Sequence, residues 1–295
     1  MKIIIFTNSQ RGILCIDHIK NKFNINKVIS SDEFKKYINP KIYLKYPKDI
    51  NSSVFINKIK NLKPDVIVSA GFSKIFSYNF IKSVNCLCLN LHAGSLPEMR
   101  GSSPLNWSLI KGLNHTKINI IKIAKEVDGG EILSTKKIKI NINSSIEDLH
   151  IKANKCFPEM LENLLKKFKK EKKIKGTKQS NNYSYYPRRF KEDGFIIFDQ
   201  NTAKQIHNKI RALSDPYPNA FSFFNKKKIN LKKSTLLKNK FYGEPGRIYQ
   251  IDGDRVLICA LDYSLWIYTD HKFKKSDRYK KLSTINELAL KLYEN

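Results

Sequence analysis

Apolar and polar positions follow two regular patterns along the first half of the chain. Short apolar runs, which are typical of strands buried on both faces, occur at residues 2–6, 28–30, 65–71 and 86–91. Apolar residues at helical spacing occupy 13–23, 52–63 and 145–170. Strands that alternate with helices predict an α/β fold built on a parallel, Rossmann-like sheet.

The second half of the chain has a different pattern. Residues 117–125 and 131–140 alternate apolar and polar positions, which predicts two strands flanking a loop. Residues 171–184 are polar and predict a linker. Beyond it, strands around a Gly253-Asp254 turn are typical of a small β-barrel. We therefore expect two domains, a catalytic domain over 1–180 and a smaller β-rich domain over 185–295.

The formal net charge of +29 normally indicates a nucleic acid or another anionic surface as a partner. The basic residues, however, are 47 lysines and 8 arginines, and isoleucine and asparagine are also abundant. Proteins that read phosphates and base edges favour arginine. This composition favours a bias of the genome, although lysine clusters at 166–175 and 226–233 leave a functional role for the charge open.

The five cysteines are odd in number and lie mostly in apolar runs, which predicts reduced thiols in a cytoplasmic protein. None of them has the spacing of a metal site, so no metal is expected. Arg11 and Asp17 within the first twenty residues argue against a signal peptide. No apolar run approaches the roughly twenty residues that a bilayer span needs, so no membrane partner is expected.

The run at residues 86–107 carries the candidate chemistry. Asn90 and His92 end an apolar strand and, because side chains alternate, point the same way. A loop rich in glycine and proline follows, as at the carboxyl edge of an α/β sheet, where such folds place their sites. Asp128 lies thirty-six residues after His92, before two glycines that permit a tight turn. A single histidine at this position would be interpreted as a side chain that only forms a hydrogen bond at the end of a strand.

The combined pattern of Asn-x-His, Leu-Pro, Arg-Gly-x-x-Pro and a later Asp-x-Gly resembles the signature of the 10-formyltetrahydrofolate-dependent formyltransferases. A second run at 211–221, Arg-Ala-Leu-Ser-Asp-Pro-Tyr-Pro-Asn-Ala-Phe, resembles their C-terminal portion. The resemblance extends from about residue 2 to about residue 270. It implies an OB-like C-terminal domain, Asn90, His92 and Asp128 as catalytic residues, and 10-formyltetrahydrofolate as co-substrate.

The resemblance also suggests binding residues. It assigns folate binding to the segment after the third predicted strand and to the Asp128 loop, at Phe72, Ser73, Ile75, Val127 and Gly129. Substrate binding is expected at the first strand-to-helix turn, a candidate anion site, and in the Arg-Gly-Ser loop, at Arg11, Arg100, Gly101 and Ser102. Two alternatives stay open, an ordinary capped helix start at Arg11 and a structural salt bridge at Arg100.

Three classes of protein could account for this sequence. Sugar-nucleotide N-formyltransferases often show a run similar to residues 96–107, which implies a nucleotide-linked amino sugar and a role in lipopolysaccharide or surface-glycan synthesis. Methionyl-tRNA formyltransferases share both domains, but their usual Gly-Arg loop has no counterpart after Ser30. A nucleic-acid partner is therefore expected only if tRNA is the acceptor. A non-enzymatic basic nucleic-acid-binding protein leaves Asn90, His92 and Asp128 unexplained. The resemblance also leaves a homodimer open.

Overall fold

The computed structural model describes residues 1–282, which divide into two compact units. The first unit comprises Met1–Pro104, Thr116–Ile138 and Ile151–Tyr186. The second comprises Leu105–His115, Lys139–His150 and the described residues from Pro187 onward. Each unit draws on separate segments of the chain, and residues 283–295 lie outside the described part. The domain bounds 1–180 and 185–295 therefore stay a prediction.

The strands of the larger sheet are short and mostly buried. They are, in chain order, β1 (Lys2–Phe6), β2 (Asn24–Ser30), β3 (Tyr43–Lys45), β4 (Val66–Ser69), β5 (Leu87–His92), β7 (His115–Lys122) and β8 (Ile132–Lys139). A small pair is formed by β6 (Arg100–Gly101) and β9 (Tyr185–Tyr186). The smaller sheet contains β10 (Ala220–Phe224), β11 (Lys227–Leu236), β12 (Ile248–Asp252), β13 (Arg255–Cys259) and β14 (Ser264–Thr269).

Within residues 1–282, six α-helices connect and cover these strands. They are α1 (Gln10–Ile19), α2 (Ser53–Asn61), α3 (Tyr78–Val84), α4 (Pro104–Ile110), α5 (Ile146–Glu171) and α6 (Ala203–Leu213). Three short 3₁₀ turns lie at Asp32–Tyr37, Lys191–Gly194 and Lys275–Asp277. Among residues 1–282, no helix combines the length and the apolar character that a membrane crossing needs.

The larger sheet has the strand order β3-β2-β1-β4-β5-β7-β8. The first five strands are parallel, which confirms the Rossmann-like α/β prediction, and β7 runs antiparallel to β5. The centre of β1 is fully buried because isoleucines point to both faces. Ser69 at the end of β4 pairs with Asn90 on β5. The loops after β4 and β5 therefore leave the sheet side by side at its carboxyl edge.

The smaller sheet is antiparallel, with the order β10-β11-β14-β13-β12. This confirms a β-rich C-terminal region, whereas an OB-like barrel stays a prediction. The lysine cluster at 226–233 includes most of β11. Ile229 and Leu231 of this strand are buried, while the lysines on either side of them are exposed. Lys228 and Lys232, which alternate with these buried residues, thus lie on the solvent face of the strand.

The predicted linker over 171–184 belongs to the first compact unit and is fastened to it at several residues. Ile174 is buried, and the backbone of Thr177 pairs with Ile132 at the start of β8. The side chain of Gln179 donates hydrogen bonds to two backbone carbonyls of the 126–130 loop. A polar composition was misleading here because the segment is held by backbone and amide hydrogen bonds, which apolar patterning does not register.

Candidate active site

Strand β5 places two polar side chains at the carboxyl edge of the larger sheet. It lies between β4 and β7, so its apolar residues are covered by the sheet and its helices. Asn90 is half-buried and His92 is 5% exposed. Both side chains contact the carboxylate of Asp128, so they point the same way, as the alternation predicts.

The carboxylate of Asp128 joins three groups from three parts of the chain. Its Oδ1 accepts a hydrogen bond of 3.0 Å from Asn90 Nδ2. Its Oδ2 accepts a bond of 2.9 Å from the backbone N–H of Gly101 and lies 3.4 Å from His92 Nδ1. The Asp128 side chain is only 10% exposed. The three predicted catalytic residues therefore form one connected cluster.

The turn that delivers this carboxylate differs from the prediction. Asp128 itself adopts the left-handed conformation, with φ +53°, while Gly129 and Gly130 do not. A Cβ on Gly130 would lie 1.9 Å from the carbonyl oxygen of Lys122. Gly130 is thus needed for a close backbone approach and not for its φ angle. Aspartate tolerates the left-handed region better than most residues, although it is rarely found there.

The imidazole of His92 has an oxygen acceptor near each nitrogen. Nε2 lies 2.7 Å from the backbone carbonyl oxygen of Met99, and Nδ1 faces Asp128 Oδ2. Since a carbonyl oxygen can only accept, Nε2 carries hydrogen and donates. Nδ1 is therefore the nitrogen at which the ring takes up or releases a proton. The Met99 carbonyl and the Asp128 carboxylate together fix the orientation of the ring.

Arg100 is 7% exposed and lies beside the Asp128 loop. Its Nε donates to Gln179 Oε1 at 3.0 Å, and its guanidinium carbon lies 4.1 Å from the ring centroid of Tyr183. A Cβ on Gly129 would lie 3.3 Å from its Nη1. Within residues 1–282, no carboxylate oxygen approaches its nitrogens within 4.0 Å, so the alternative of a structural salt bridge is wrong for the described chain.

Two other residues predicted to bind substrate make backbone contacts at this edge. Gly101 has φ +98°, and a Cβ there would lie 2.3 Å from the carbonyl oxygen of Tyr186. The backbone N–H of Ser102 donates to the same oxygen at 2.8 Å. These contacts fix the Arg-Gly-Ser loop, and the N–H of Gly101 serves Asp128. Their part in substrate binding stays a prediction.

Arg11 lies in the first turn of α1. Its Nη1 donates to the carbonyl oxygen of Leu91 at 3.1 Å, and its Nε donates to Asn154 Oδ1 at 3.4 Å. Its guanidinium carbon lies 4.8 Å from the ring centroid of Phe157. The side chain thus fastens α1 to β5 and α5. The predicted anion site at this helix start stays a prediction.

The residues predicted to bind folate lie in two loops, one after β4 and one between β7 and β8. Ile75, in the loop after β4, is 63% exposed, and Val127, next to Asp128, is 37% exposed. Ser73 is exposed as well. Phe72 instead packs edge-on against the ring of Phe6, with 5.3 Å between centroids. Exposed apolar side chains beside a polar cluster fit a flat aromatic ligand with a reactive polar edge.

Sequence reasoning missed Gln179 and Tyr183, which hold Arg100, and the carbonyl of Met99, which holds His92. Gln179 and Tyr183 lie in the segment interpreted as a linker, and a single amide in a polar stretch carries no local signal. Within the described chain, no group of three or more His, Cys, Asp or Glu side chains is placed to hold a metal ion.

The cysteines do not add a nucleophile to the site. All five are free thiols. Burial raises the pKa of the Cys15 thiol to about 12. Cys88, on β5, also has a raised pKa, because it is hydrogen-bonded to Cys86 and buried. Protonated thiols are poor nucleophiles, so neither Cys15 nor Cys88 suits that role. The catalytic part of Asn90, His92 and Asp128 stays a prediction.

Comparison with known proteins assigns the family. The model of the family described as formyl transferase matches residues 8–164, and that of the formyl transferase C-terminal domain matches residues 189–288. The first match alone spans more than half of the 295 residues. The chain therefore belongs to the formyl transferase family, whose members are enzymes that transfer a formyl group. The resemblance seen in the sequence is confirmed.

Three relatives indicate the range of the family. The bifunctional polymyxin resistance protein ArnA of Wigglesworthia glossinidia brevipalpis is 34% identical over 84% of this chain, which spans only 40% of that relative's length. The N-formyltransferase from Helicobacter canadensis, solved with folinic acid and dTDP-3-aminofucose, has a TM-score of 0.67 at 19% identity, covering 91% of this chain and 98% of its own. Methionyl-tRNA formyltransferase from Clostridium thermocellum has a TM-score of 0.59 at 26% identity, covering 81% and 95%.

Proposed function

We propose that the chain transfers a formyl group from 10-formyltetrahydrofolate to the amine of a nucleotide-linked amino sugar. The observation that carries the proposal is the cluster of Asn90, His92 and Asp128 at the end of β5. It places an amide donor, an imidazole and a carboxylate together at the carboxyl edge of the sheet, where such folds bind their ligands.

The reaction begins with attack of the neutral amine on the formyl carbon. This gives a tetrahedral intermediate whose oxygen carries negative charge. Asn90 Nδ2 has two hydrogens, of which Asp128 accepts one, so the other is available for that oxygen. A donor held in place before the reaction needs no reorganisation, and such donors often give the largest catalytic term.

A proton must also move during the transfer. It leaves the attacking amine and ends on the folate nitrogen that loses the formyl group. His92 can take it up at Nδ1, because its Nε2 is held by the Met99 carbonyl. Asp128, 3.4 Å away, stabilises the charged ring until the proton is returned. The His92–Asp128 pair thus carries the proton between the two nitrogens.

The folate fits the loops on both sides of Asn90. Family resemblance assigns its pterin to Phe72, Ser73 and Ile75, together with Val127 and Gly129. Ile75 and Val127 provide exposed apolar surface for a flat ring. Phe72 contributes by supporting this loop from the core, since its ring packs on Phe6.

The nucleotide of the acceptor fits the charge of Arg100. Arg100 is 7% exposed, and the partners that hold its side chain, the amide of Gln179 and the ring of Tyr183, are uncharged. An anionic ligand would therefore supply the opposite charge that these partners lack. A diphosphate provides one with geometry suited to arginine. The run Leu96–Trp107 and the identity of 34% to ArnA support the same class of acceptor, whose products supply surface-glycan synthesis.

A second candidate, methionyl-tRNA formyltransferase, has two observations in its favour. The net charge is +29, and the methionyl-tRNA formyltransferase structure is 26% identical to the chain. The chain lacks the Gly-Arg loop after Ser30 that this class usually has. We therefore rank it second.

The proposal is tested by supplying 10-formyltetrahydrofolate with a panel of UDP-, dTDP-, GDP- and CMP-linked amino sugars. Mass spectrometry detects the formamide on the sugar, and absorbance reports release of tetrahydrofolate. We expect formylation of at least one sugar and none with Asp128→Asn. Formylation of no sugar by folded wild-type protein contradicts the proposed acceptor.

A further inference from the structure

The side chain of Gln179 connects the two parts of the site. Its Nε2 lies 2.7 Å from the carbonyl oxygen of Asp128 and 2.7 Å from that of Gly130. Its Oε1 accepts a hydrogen bond of 3.0 Å from Arg100 Nε. A single primary amide thus joins the loop that carries the carboxylate to the guanidinium proposed to bind the acceptor.

The three partners determine which way this amide points. Two carbonyl oxygens can only accept, so they require the nitrogen, which has two hydrogens. Arg100 Nε can only donate, so it requires the oxygen. In the reversed orientation the amide oxygen would face two carbonyl oxygens, and the amide N–H groups would face the N–H of Arg100. Only a residue that donates at one end and accepts at the other satisfies the arrangement.

The backbone around Gln179 is fastened on both sides. Thr177 and Ile132 exchange two backbone hydrogen bonds of 2.9 Å. Toward the C-terminus, the carbonyl of Ser184 accepts from the N–H of Arg100 at 3.1 Å. Gln179 therefore reaches its partners from a segment that is tied to β8 and to the Arg-Gly-Ser loop, and not from a free linker.

Asp128 needs such support because of its backbone. A non-glycine residue with φ +53° is held there only when its surroundings compensate for the unfavourable conformation. The carbonyl of Asp128 is bonded directly by Gln179, and so is that of Gly130, two residues further on. Loss of both bonds would free the turn that aims the carboxylate at Asn90 and His92.

We propose that Gln179 is a positioning residue for formyl transfer, holding the catalytic Asp128 through Nε2 and the acceptor-binding Arg100 through Oε1. This rests on the proposed function. Gln179 acts through these two residues and does not touch the reacting atoms. Its two ends have separate consequences, one for the rate of the chemical step and one for binding of the acceptor.

Two substitutions test the two ends. Gln179→Glu turns an acceptor toward both carbonyls, so kcat should fall about 10- to 100-fold, as misplacement of a catalytic group does. It also gives Arg100 a carboxylate partner, so KM for the acceptor should rise because the new carboxylate competes with the acceptor's anion. Gln179→Met keeps the length of the side chain but removes both the amide donor and the amide acceptor. We expect it to lower kcat similarly and also to raise KM for the acceptor about tenfold, the effect of losing a hydrogen bond to a charged group.

Lys178→Gln is the matched control. Lys178 is exposed and adjacent in sequence, and its replacement changes the charge by the same amount as Gln179→Glu. We expect wild-type kcat and KM from it. Melting curves of all three variants establish that they are folded.

Amide hydrogen exchange gives a readout that does not depend on catalysis. The N–H of Gly129 is bonded to the carbonyl of Glu126 at 3.1 Å, and it should exchange faster in both Gln179 variants than in wild type. Unchanged kcat in Gln179→Glu, or unchanged exchange at Gly129 in both variants, overturns the proposal. If wild-type protein formylates neither sugars nor methionyl-tRNA, the proposed function has failed, and the exchange at Gly129 alone decides whether Gln179 positions Asp128.

Discussion

Asn90 Nδ2 donates a 3.0 Å hydrogen bond to Oδ1 of Asp128, although 38 residues separate the two along the chain. The bond fixes the rotation of the Asn90 amide, because the nitrogen must face the carboxylate. It also links the end of β5 to the turn between β7 and β8. The geometry of the proposed oxyanion donor therefore depends on the position of a carboxylate carried by a different part of the sheet.

Asp128→Asn should abolish most activity while leaving the fold intact. The new amide has one oxygen where the carboxylate has two, so its nitrogen must oppose either the Asn90 amide nitrogen or the N–H of Gly101. We expect kcat to fall at least about a hundredfold, the contribution of a positioned acid or base. Steady-state kinetics measure this, with circular dichroism as the check on folding.

The control for this change is Asp254→Asn, which makes the same replacement at an exposed turn between β12 and β13. It should leave kcat unchanged. Near-normal turnover in Asp128→Asn, or in His92→Ala, would show that the chemistry does not depend on the cluster.

Gly130→Ala tests whether the Asp128 turn needs a close backbone approach. The added Cβ would lie 1.9 Å from the carbonyl oxygen of Lys122, which belongs to β7, so the turn must shift. We expect a lower melting temperature and a lower kcat. Gly253→Ala is the comparison, because Gly253 has φ +60° but no atom within 4 Å of the new Cβ. It should cost about 1 kcal/mol in stability and no activity.

The sequence predicted the parts of the site that follow a local period. Alternation along β5 puts Asn90 and His92 on one side, and the apolar run before them predicts a buried strand. The spacing to Asp128 was interpretable only through the family resemblance. The left-handed φ of Asp128 was not predictable, because the adjacent glycines are the residues that usually adopt it.

The pattern of apolar and polar residues did not predict the long-range hydrogen bonds. Gln179 lies 51 residues from Asp128 and 79 from Arg100, in a stretch whose composition is typical of a linker. Apolar periodicity reports burial of side chains on one face, and it contains no information on where a polar amide finds its partners. The lysines of β11 were interpreted as a charge cluster for a related reason, since their number hid the alternation with Ile229 and Leu231.

The stability of the first unit should depend on Glu162 in a pH-dependent way. Hydrogen bonds from Lys166, then Lys22 and His18, lower the pKa of this carboxyl to about 2. Because the folded pKa lies below the unfolded one, the stabilisation is present above pH about 4.5 and is lost as pH falls toward about 2. Glu162→Gln should thus lower the melting temperature at pH 7, and the difference should shrink below pH 4.5.

Thermal unfolding between pH 7 and pH 3 checks this prediction. Glu159→Gln, one turn away on α5, is the control, because its side chain is 67% exposed and should show little effect at any pH. A difference between Glu162→Gln and wild type that stays constant as the pH is lowered is incompatible with the ion-pair account.

Arg211 should be a major determinant of stability in the second unit. It is 7% exposed, and burial lowers the pKa of its guanidinium to about 10. Nη1 donates to the carbonyls of Asn141 and Ser144, and Nε and Nη2 donate to Asn208 Oδ1. Arg211→Met leaves these oxygens without a donor and should cost about 3 kcal/mol in urea unfolding. Arg188→Met, at an exposed position, should cost little; equal effects of the two substitutions would refute the assignment.

The central claim is that the formyl acceptor is a nucleotide-linked amino sugar. The most direct measurement compares, in one preparation at physiological ionic strength, kcat/KM for nucleotide-linked amino sugars and for charged initiator methionyl-tRNA, with 10-formyltetrahydrofolate as the donor in both. We expect formylation of a sugar, and only weak, salt-sensitive binding of tRNA without formylation, because binding that depends on many phosphate contacts weakens steeply as salt rises. Efficient formylation of methionyl-tRNA with no formylation of any nucleotide-linked amino sugar would contradict the account.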